Sequence, residues 1–194
     1  LTNGNHYPTD TLIYAVNPRP AVDLVADFLK VNLDGTLKTN GYLQTSDPTI
    51  YAVGDLVSVT FDHTDESLYL PLVTNAYRTG RVAATNILLG NQLMLPASQR
   101  SIVSHFFDHY VASTGMNEAE APYFGLTPAS VTKKFTQSKL FGEETFSLTL
   151  KIVFEPQTKR LLGGQLLTNN RNAVEIINTL AALVACKADL NRLA

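Results

Sequence analysis

The segment QTSDPTIYAVGD, residues 44–55, carries the most structural information in the chain. A Ser-Asp-Pro turn leads into an apolar run at positions 49–53, which stops abruptly at Gly54-Asp55. An uninterrupted apolar run bounded by turn residues is typical of a strand that is buried on both faces of a parallel sheet. The sequence therefore predicts a buried strand over 49–53 with an acidic residue at its tip.

The clearest helix in the sequence runs from Pro71 to about Leu89, and Gly90 stops it. Proline in the first turn and glycine just past the last turn are the expected boundaries of a helix. Small side chains dominate one face, which lets another backbone or a flat ligand come close. The residues of this face are Leu72, Ala76, Gly80, Ala83 and Ile87.

The first turn of this helix is a candidate site for negative charge. Its free N–H groups and the positive end of the helix dipole stabilise an anion or an electron-rich atom. The alternative is a plain amphipathic helix whose apolar face packs in a core.

Two further elements are predicted on the N-terminal side. Positions 11–16 predict a buried strand, which the prolines at 18 and 20 end. Positions 21–30 predict a short amphipathic helix with an apolar face formed by Val22, Val25, Ala26 and Leu29. The chain has no initiator Met and opens almost directly on a strand, so we expect a piece of a longer polypeptide. The alternative is an ordinary N-terminus whose leading residues are missing.

The composition changes after Leu95, which marks a candidate domain boundary. Beyond it, alternating and apolar runs predict five strands and two helices. This pattern indicates an α+β layer in which an antiparallel sheet carries helices on one side. The predicted strands cover 101–107, 110–114, 131–135, 145–154 and 160–167, and the helices start at Asn117 and cover 172–185.

Composition excludes several classes of function. The 194 residues are 45% apolar and 16% charged, with a net charge of -2, which is typical of a globular protein. Basic residues are scattered, so nucleic-acid binding is not expected. The longest apolar stretch, 180–186, is too short to cross a bilayer. With a single cysteine, Cys186, and no secretory leader, the expected location is the cytoplasm.

Motifs of complete nucleotide-dependent or metal-dependent enzymes are absent from the sequence. Gly-x-Gly-x-x-Gly after a strand, the phosphate loop, His-Glu-x-x-His and Cys-x-x-Cys do not occur. His105 and His109 are four residues apart, but Phe-Phe-Asp between them favours a strand end over a helix, so no metal site is predicted. Cys186 ends an apolar helix and is expected to be a small buried hydrophobe without a redox role.

The string over 44–55 resembles the second flavin-binding motif of the pyridine nucleotide-disulfide oxidoreductases. The following LPLVTNA, residues 70–76, resembles a helix of their NADH oxidase, NADH peroxidase and coenzyme A-disulfide reductase branch. The resemblance implies that Gly54 bends the backbone beneath FAD and that Asp55 accepts a hydrogen bond from a ribityl hydroxyl. It also implies that Pro71 starts the helix near the nicotinamide, and that the amides facing the isoalloxazine belong to Leu72, Val73 and Thr74.

The second half resembles the dimerisation domain of the same family. The matching strings are FDHYVASTGM over 107–116, LKIVF over 150–154 and LLGGQL over 161–166. The implied organisation is the end of an NAD-binding domain over 1–16, the C-terminal part of an FAD-binding α/β domain over 17–95, and a dimerisation domain over 96–194. The expected fold class is α+β, an antiparallel sheet with flanking helices that follows the tail of the FAD domain.

The resemblance implies the C-terminal part of an FAD-dependent NADH oxidase-like enzyme, cytoplasmic and homodimeric. Hydride passes from NADH to FAD and then to oxygen, peroxide or a disulfide. The redox cysteine belongs to the N-terminal half of the same enzyme, which is a partner of this chain, and Cys186 does not match it. No catalytic residue is assigned here. Because the pyrophosphate-binding half is not in this sequence, the isolated chain is expected to hold FAD weakly or not at all, not to retain NAD, and to be inactive. The alternative is a non-catalytic self-association module.

Overall fold

The computed structural model describes residues 4–16, 18–62, 64, 66–137 and 146–192. They form two compact units, each built from two stretches of chain. The first unit contains the residues up to Val57 together with Pro71–Gln92, and the second contains Ser58–Leu70 and the residues from Leu93 onward. Within the described ranges, every helix is too short or too polar to cross a bilayer.

Regular structure is concentrated in the second unit, whereas the first unit contains one long helix. The elements are β1 (Val59–Thr60), β2 (Ser67–Leu68), α1 (Val73–Leu89), β3 (Ile102–Phe106), β4 (His109–Gly115), β5 (Ala129–Gln137), β6 (Phe146–Phe154), β7 (Leu161–Thr168) and α2 (Ile176–Ala185), with 3-10 helices at Gly54–Leu56, Ala121–Phe124, Arg171–Glu175 and Leu190–Arg192.

The strand predicted over 11–16 is not formed. These residues have no regular secondary structure and no strand pairing, they lie at the surface, and the side chain of Ile13 is 85% exposed. A β-branched run becomes a strand only when a neighbouring strand satisfies its N–H and C=O groups. Among the described residues no strand pairs with it, and the predicted junction at Asn17 lies outside those residues.

The helix predicted over 21–30 is also wrong, because the segment forms successive turns. The carbonyl of Val22 accepts hydrogen bonds from the amides of Val25 and Ala26, both 2.9 Å long. On the predicted apolar face Leu29 is buried, whereas Ala26 is exposed. A segment this short needs a packed apolar face to stay helical, and one buried leucine does not provide it.

The run over 49–53 is not the predicted parallel strand. It makes a single antiparallel bridge, between Gln44 and Tyr51, and it buries Ala52. The amide of Ala52 donates to the carbonyl of Leu43 at 3.0 Å, so the run pairs with the turn just before it. A strand buried on both faces needs parallel neighbours, and none is found among the described residues.

Helix α1 begins at Val73 and ends before Gly90, whose φ is +78°. The predicted extent is therefore close, but the predicted face is right only in part: Ala83 is buried, whereas Leu72, Ala76 and Gly80 are half-buried. Ile87 is 61% exposed, and the buried side of the helix is largely polar. Side-chain hydrogen bonds to loops of the first unit allow this burial, since a buried polar group with a partner costs little. The buried residues are Asn75, Thr79, Val82, Ala83 and Asn86.

The second unit contains a five-stranded antiparallel sheet in the order β3-β4-β7-β6-β5. Helix α2 packs on β4 and β7, so the predicted antiparallel sheet with flanking helices is confirmed. The strand predicted over 145–154 starts outside the described residues, at Thr145. The core beneath the helix consists of Ala112, Leu148, Leu161, Leu166, Val174, Ile177, Leu180 and Val184.

The helix expected from Asn117 is a turn followed by a 3-10 helix, Ala121–Phe124. The side chain of Asn117 does act as a cap, because its Oδ1 accepts from the amides of Ala119 and Glu120, both at 2.9 Å. Pro122 stands at the start of the 3-10 helix and Gly125 closes it with a φ of +73°. The element is therefore one short turn, too short for an α-helix.

Two glycines on neighbouring strands bring β4 and β7 into close backbone contact. Gly115 on β4 pairs with Gly163 on β7. A Cβ at Gly163 would lie 2.2 Å from the carbonyl oxygen of Met116, and a Cβ at Gly115 would lie 2.2 Å from that of Leu162. Only glycine fits such an approach at either position.

Gly163→Ala is expected to destabilise the protein by about 3 kcal/mol or more, because its Cβ meets backbone that cannot move aside. The measurement is equilibrium urea unfolding. The matched control is Gly80→Ala in α1, where a Cβ meets nothing within 4 Å. That change is expected to stabilise the helix by up to about 1 kcal/mol. Unchanged stability of Gly163→Ala would contradict the close approach.

Candidate functional site

The predicted acidic tip is an exposed turn on the first unit. Val53 is extended, and Gly54 has a φ of +67°, which turns the chain into the 3-10 helix Gly54–Leu56. This conformation favours glycine, as the sequence motif suggests. Asp55 lies exposed on the turn, and its carboxylate has no hydrogen bond or ion pair with the residues that the structure describes. It is therefore available as an acceptor.

The turn is fixed against the second turn of α1. The amide of Gly54 donates a hydrogen bond of 2.9 Å to Oγ1 of Thr79. A Cβ on Gly54 would lie 3.7 Å from the Cβ of Ala76, an ordinary contact distance. The positive φ, rather than lack of space, therefore explains the glycine.

The start of α1 is uncapped. Leu72 is the N-cap residue, it is extended, and its side chain makes no capping hydrogen bond. The first helical hydrogen bond runs from the amide of Ala76 to the carbonyl of Leu72, at 3.0 Å. Val73 and Thr74 are exposed, and their amides have no acceptor in the described part of the chain. These donors and the helix dipole favour negative charge at this end.

The loop before the turn is held by its own hydrogen bonds. Oδ1 of Asp47 accepts from the hydroxyl of Thr49 at 2.7 Å and from its amide at 2.8 Å. These two bonds, the hydroxyl first, lower the pKa of the Asp47 carboxyl. Tyr51 donates to Oδ1 of Asn91 at 2.8 Å, just beyond the end of α1. Residues 44–55 are therefore attached to Thr79 in the second turn of α1 and to Asn91 just beyond its C-terminal end.

The structure thus brings Gly54 and Asp55 onto α1, near its second turn, and places Val73 and Thr74 in the first turn of the same helix. Leu72 is the N-cap and Pro71 precedes it, so Pro71 does not start the helix as predicted. The binding roles of these six residues stay predictions. Sequence reasoning missed the polar residues on the buried side of α1. Their signal was the spacing of Asn75, Thr79 and Asn86 along one helical face, which hydropathy alone reads as solvent-facing.

The remaining candidates lie elsewhere. His105 on β3 stacks on Tyr110, with ring centroids 4.3 Å apart. His109 opens β4, and its Nδ1 lies 2.7 Å from Oδ1 of Asp108. Among the described residues, no three His, Cys, Asp or Glu side chains gather as a metal site would require. Cys186 caps the end of α2 and is exposed, so the expectation of a buried thiol is wrong. Helix α2 ends one residue before it.

Comparison with known families supports the expected resemblance. Residues 1–80 match the family described as "Pyridine nucleotide-disulphide oxidoreductase". Residues 102–194 match the family described as "Pyridine nucleotide-disulphide oxidoreductase, dimerisation domain". The two matches leave only residues 81–101 outside.

Individual proteins agree with these matches. A curated "NADH oxidase" of Enterococcus faecalis is 29% identical over 194 residues, which is 100% of this chain and 43% of that relative. The solved structure of the "Water-forming NADH oxidase from Lactobacillus brevis", bound to NADH, is 30% identical with a TM-score of 0.85, covering 97% of this chain and 42% of that one. A "NAD-Dependent Persulfide Reductase from A. fulgidus" is 28% identical with a TM-score of 0.88, covering 98% and 36%. The chain therefore spans less than half of the length of these relatives.

Gly54→Ala is expected to destabilise the turn by about 1–2 kcal/mol, because an L side chain is strained at positive φ. Hydrogen exchange of peptides covering residues 44–57 should accelerate by about 5- to 30-fold. Gly54→Asn is the matched control, since asparagine tolerates this backbone region better and should lose less. Equal effects of the two variants would contradict the backbone explanation.

Proposed function

Because this chain belongs to the pyridine nucleotide-disulphide oxidoreductase family, we propose that it is the C-terminal part of an FAD-dependent NADH oxidase-like enzyme. In this proposal the first unit supplies contacts to the ribityl chain and the isoalloxazine of FAD, and the second unit supplies the homodimer interface. The proposed organisation is 1–16 from the NAD-binding domain, 17–95 from the FAD-binding domain and 96–194 as the dimerisation domain.

The observation that carries the proposal is that one compact unit holds both the Asp55 carboxylate, which has no partner among the described residues, and the free first-turn amides of α1, with the Asp55 turn hydrogen-bonded to that helix. These groups fit the chemistry of FAD. A polyol chain offers hydroxyl donors for the Asp55 carboxylate, and an electron-rich ring edge offers acceptors for the amides of Val73 and Thr74. The positive φ of Gly54 supplies the sharp bend that carries Asp55.

Each residue then has a distinct task. Asp55 holds a ribityl hydroxyl through a charge-assisted hydrogen bond, the stronger kind. The amides of Leu72, Val73 and Thr74 and the helix dipole stabilise negative charge on the ring, and Pro71 fixes the backbone direction at the helix start. When bound, FAD supplies hydride acceptance from NADH and the reduction of oxygen, peroxide or a disulfide. The protein supplies position and electrostatics.

Asp55→Ala in the full-length protein that contains this chain should weaken FAD binding by about 10- to 100-fold, because a hydrogen bond to a charged group is lost. The measurement is a titration of apoprotein with FAD, followed by quenching of flavin fluorescence. Asp27→Ala is the matched control, since Asp27 is also an exposed aspartate of the first unit. Equal affinity in wild type and Asp55→Ala would contradict the flavin role and favour a non-catalytic self-association module.

The isolated chain is expected to bind FAD poorly and to have no NADH oxidase activity. In the family that it belongs to, the pyrophosphate-binding motif and the redox cysteine stand in the N-terminal half. Incubation at micromolar FAD followed by desalting should leave a colourless protein. A yellow protein with quenched flavin fluorescence after that treatment would contradict this division of labour.

The isolated chain is nevertheless expected to be a dimer. Residues 102–194 match a dimerisation domain, and the β3–β4 hairpin exposes large apolar side chains, among them Phe106 and Phe107. Apolar patches of this kind usually mark interaction surfaces. Sedimentation equilibrium at increasing protein concentration should give twice the chain mass. A monomer at the highest concentrations would count against the interface.

A further inference from the structure

Thr79 lies in the middle of α1 and is fully buried, which is unusual for a polar residue on a helix. Its neighbour toward the C-terminus on the same side, Val82, is an ordinary apolar core residue. A buried hydroxyl is tolerated when its donor and its acceptor sites are both used. Thr79 meets this condition, because its hydroxyl has hydrogen-bond partners both as a donor and as an acceptor.

The hydroxyl of Thr79 connects two elements. Its oxygen accepts from the amide of Gly54 at 2.9 Å. Its proton points back into the helix, where the carbonyl oxygens of Asn75 and Ala76 lie at 2.8 and 3.0 Å. The hydrogen bond that the hydroxyl donates within the helix orients its oxygen. The oxygen then accepts a hydrogen bond from the Gly54 amide of the turn.

A second threonine on α1 provides the comparison. The hydroxyl of Thr85 donates to the carbonyl of Arg81 at 3.0 Å, which is the same back-bond within the helix. Thr85 is half-buried, and among the described residues it accepts no hydrogen bond from another element. The link to a loop is thus particular to Thr79 and does not follow from threonine on a helix in general.

The amide that donates to the Thr79 hydroxyl is that of Gly54, the residue directly before Asp55. Its direction sets the peptide plane between Val53 and Gly54, and therefore where the positive-φ turn projects the next side chain. If the bond is lost, the turn keeps its glycine but loses its attachment to α1. The direction of the Asp55 side chain would then no longer be fixed by this hydrogen bond.

We propose that Thr79 is a positioning residue for flavin binding: its hydroxyl fixes the Gly54 turn on α1 and thereby holds Asp55 in place. The inference rests on the proposed function. Thr79 itself does not touch the cofactor in this scheme, and its whole effect passes through Asp55.

The binding test uses the full-length protein that contains this chain and FAD as the probe. Thr79→Val keeps the shape and removes the hydroxyl, and it should raise the FAD dissociation constant by about 3- to 30-fold. Thr79→Ser restores the hydroxyl and should recover most of the affinity. Thr85→Val, the matched control, should leave affinity unchanged. A Thr79→Val protein that binds FAD like wild type would overturn the inference alone.

A double-mutant cycle separates positioning from general stability. In an Asp55→Ala background, Thr79→Val should change the FAD dissociation constant by less than about 2-fold, because the group it positions is gone. Effects that multiply independently would overturn the inference and assign Thr79 a purely structural role. Failure of the wild-type protein to bind FAD would overturn the proposed function, and this inference with it.

Hydrogen exchange of the Gly54 amide tests the hydrogen bond between Gly54 and Thr79 without any cofactor. Thr79→Val should accelerate its exchange by about 10-fold or more, whereas Thr79→Ser and Thr85→Val should not. An unchanged exchange rate of the Gly54 amide in Thr79→Val would show that this hydrogen bond does not fix the turn, and would overturn the inference whatever the outcome with FAD.

Discussion

The hydrogen bond between the Gly54 amide and the Thr79 hydroxyl is the constraint on which the first unit's candidate site depends. It joins a sharp turn, which only glycine adopts easily, to a helix whose opening amides are left uncapped. Without it, a carboxylate and a set of donors would be two unrelated surface features. With it, they share one rigid support, and this shared support is what a cofactor with both hydroxyl donors and ring acceptors requires.

The second unit depends on a different kind of constraint, close backbone packing. Gly115 and Gly163 allow β4 and β7 to approach where any side chain would collide. At the next position, a Cβ on Gly164 would lie 2.8 Å from Cδ1 of Leu180, so helix α2 also sits closely on the strand. The LLGG string of β7 therefore combines two apolar core residues with one position, Gly163, that backbone contacts keep bare, and a second, Gly164, where a side chain would have to displace Leu180.

Elements were predictable from sequence where their partners lie in the same chain. The five strands of the sheet pair with one another, and their alternation was sufficient to predict them. The runs over 11–16 and 49–53 have the composition of strands but no neighbouring strand among the described residues. Strands predicted there from composition alone were therefore wrong. For α1 the extent was nearly right and the face only partly so, because the buried side also includes the polar residues Asn75, Thr79 and Asn86. Gly54 and Asp55 could be singled out by motif, whereas Thr79 could not.

The two edges of the sheet differ in a way that matters for handling the protein. The outer strand β5 carries Lys133 and Lys134, which oppose the approach of another strand through charge repulsion and desolvation. The other outer strand, β3, has the sequence IVSHF and is exposed along its whole length, with no lysine or proline. Among the strands that the structure describes, β3 is therefore the edge more open to unwanted strand addition. A preparation that aggregates in this way would do so through β3 wherever the proposed homodimer interface on the β3–β4 hairpin has not formed.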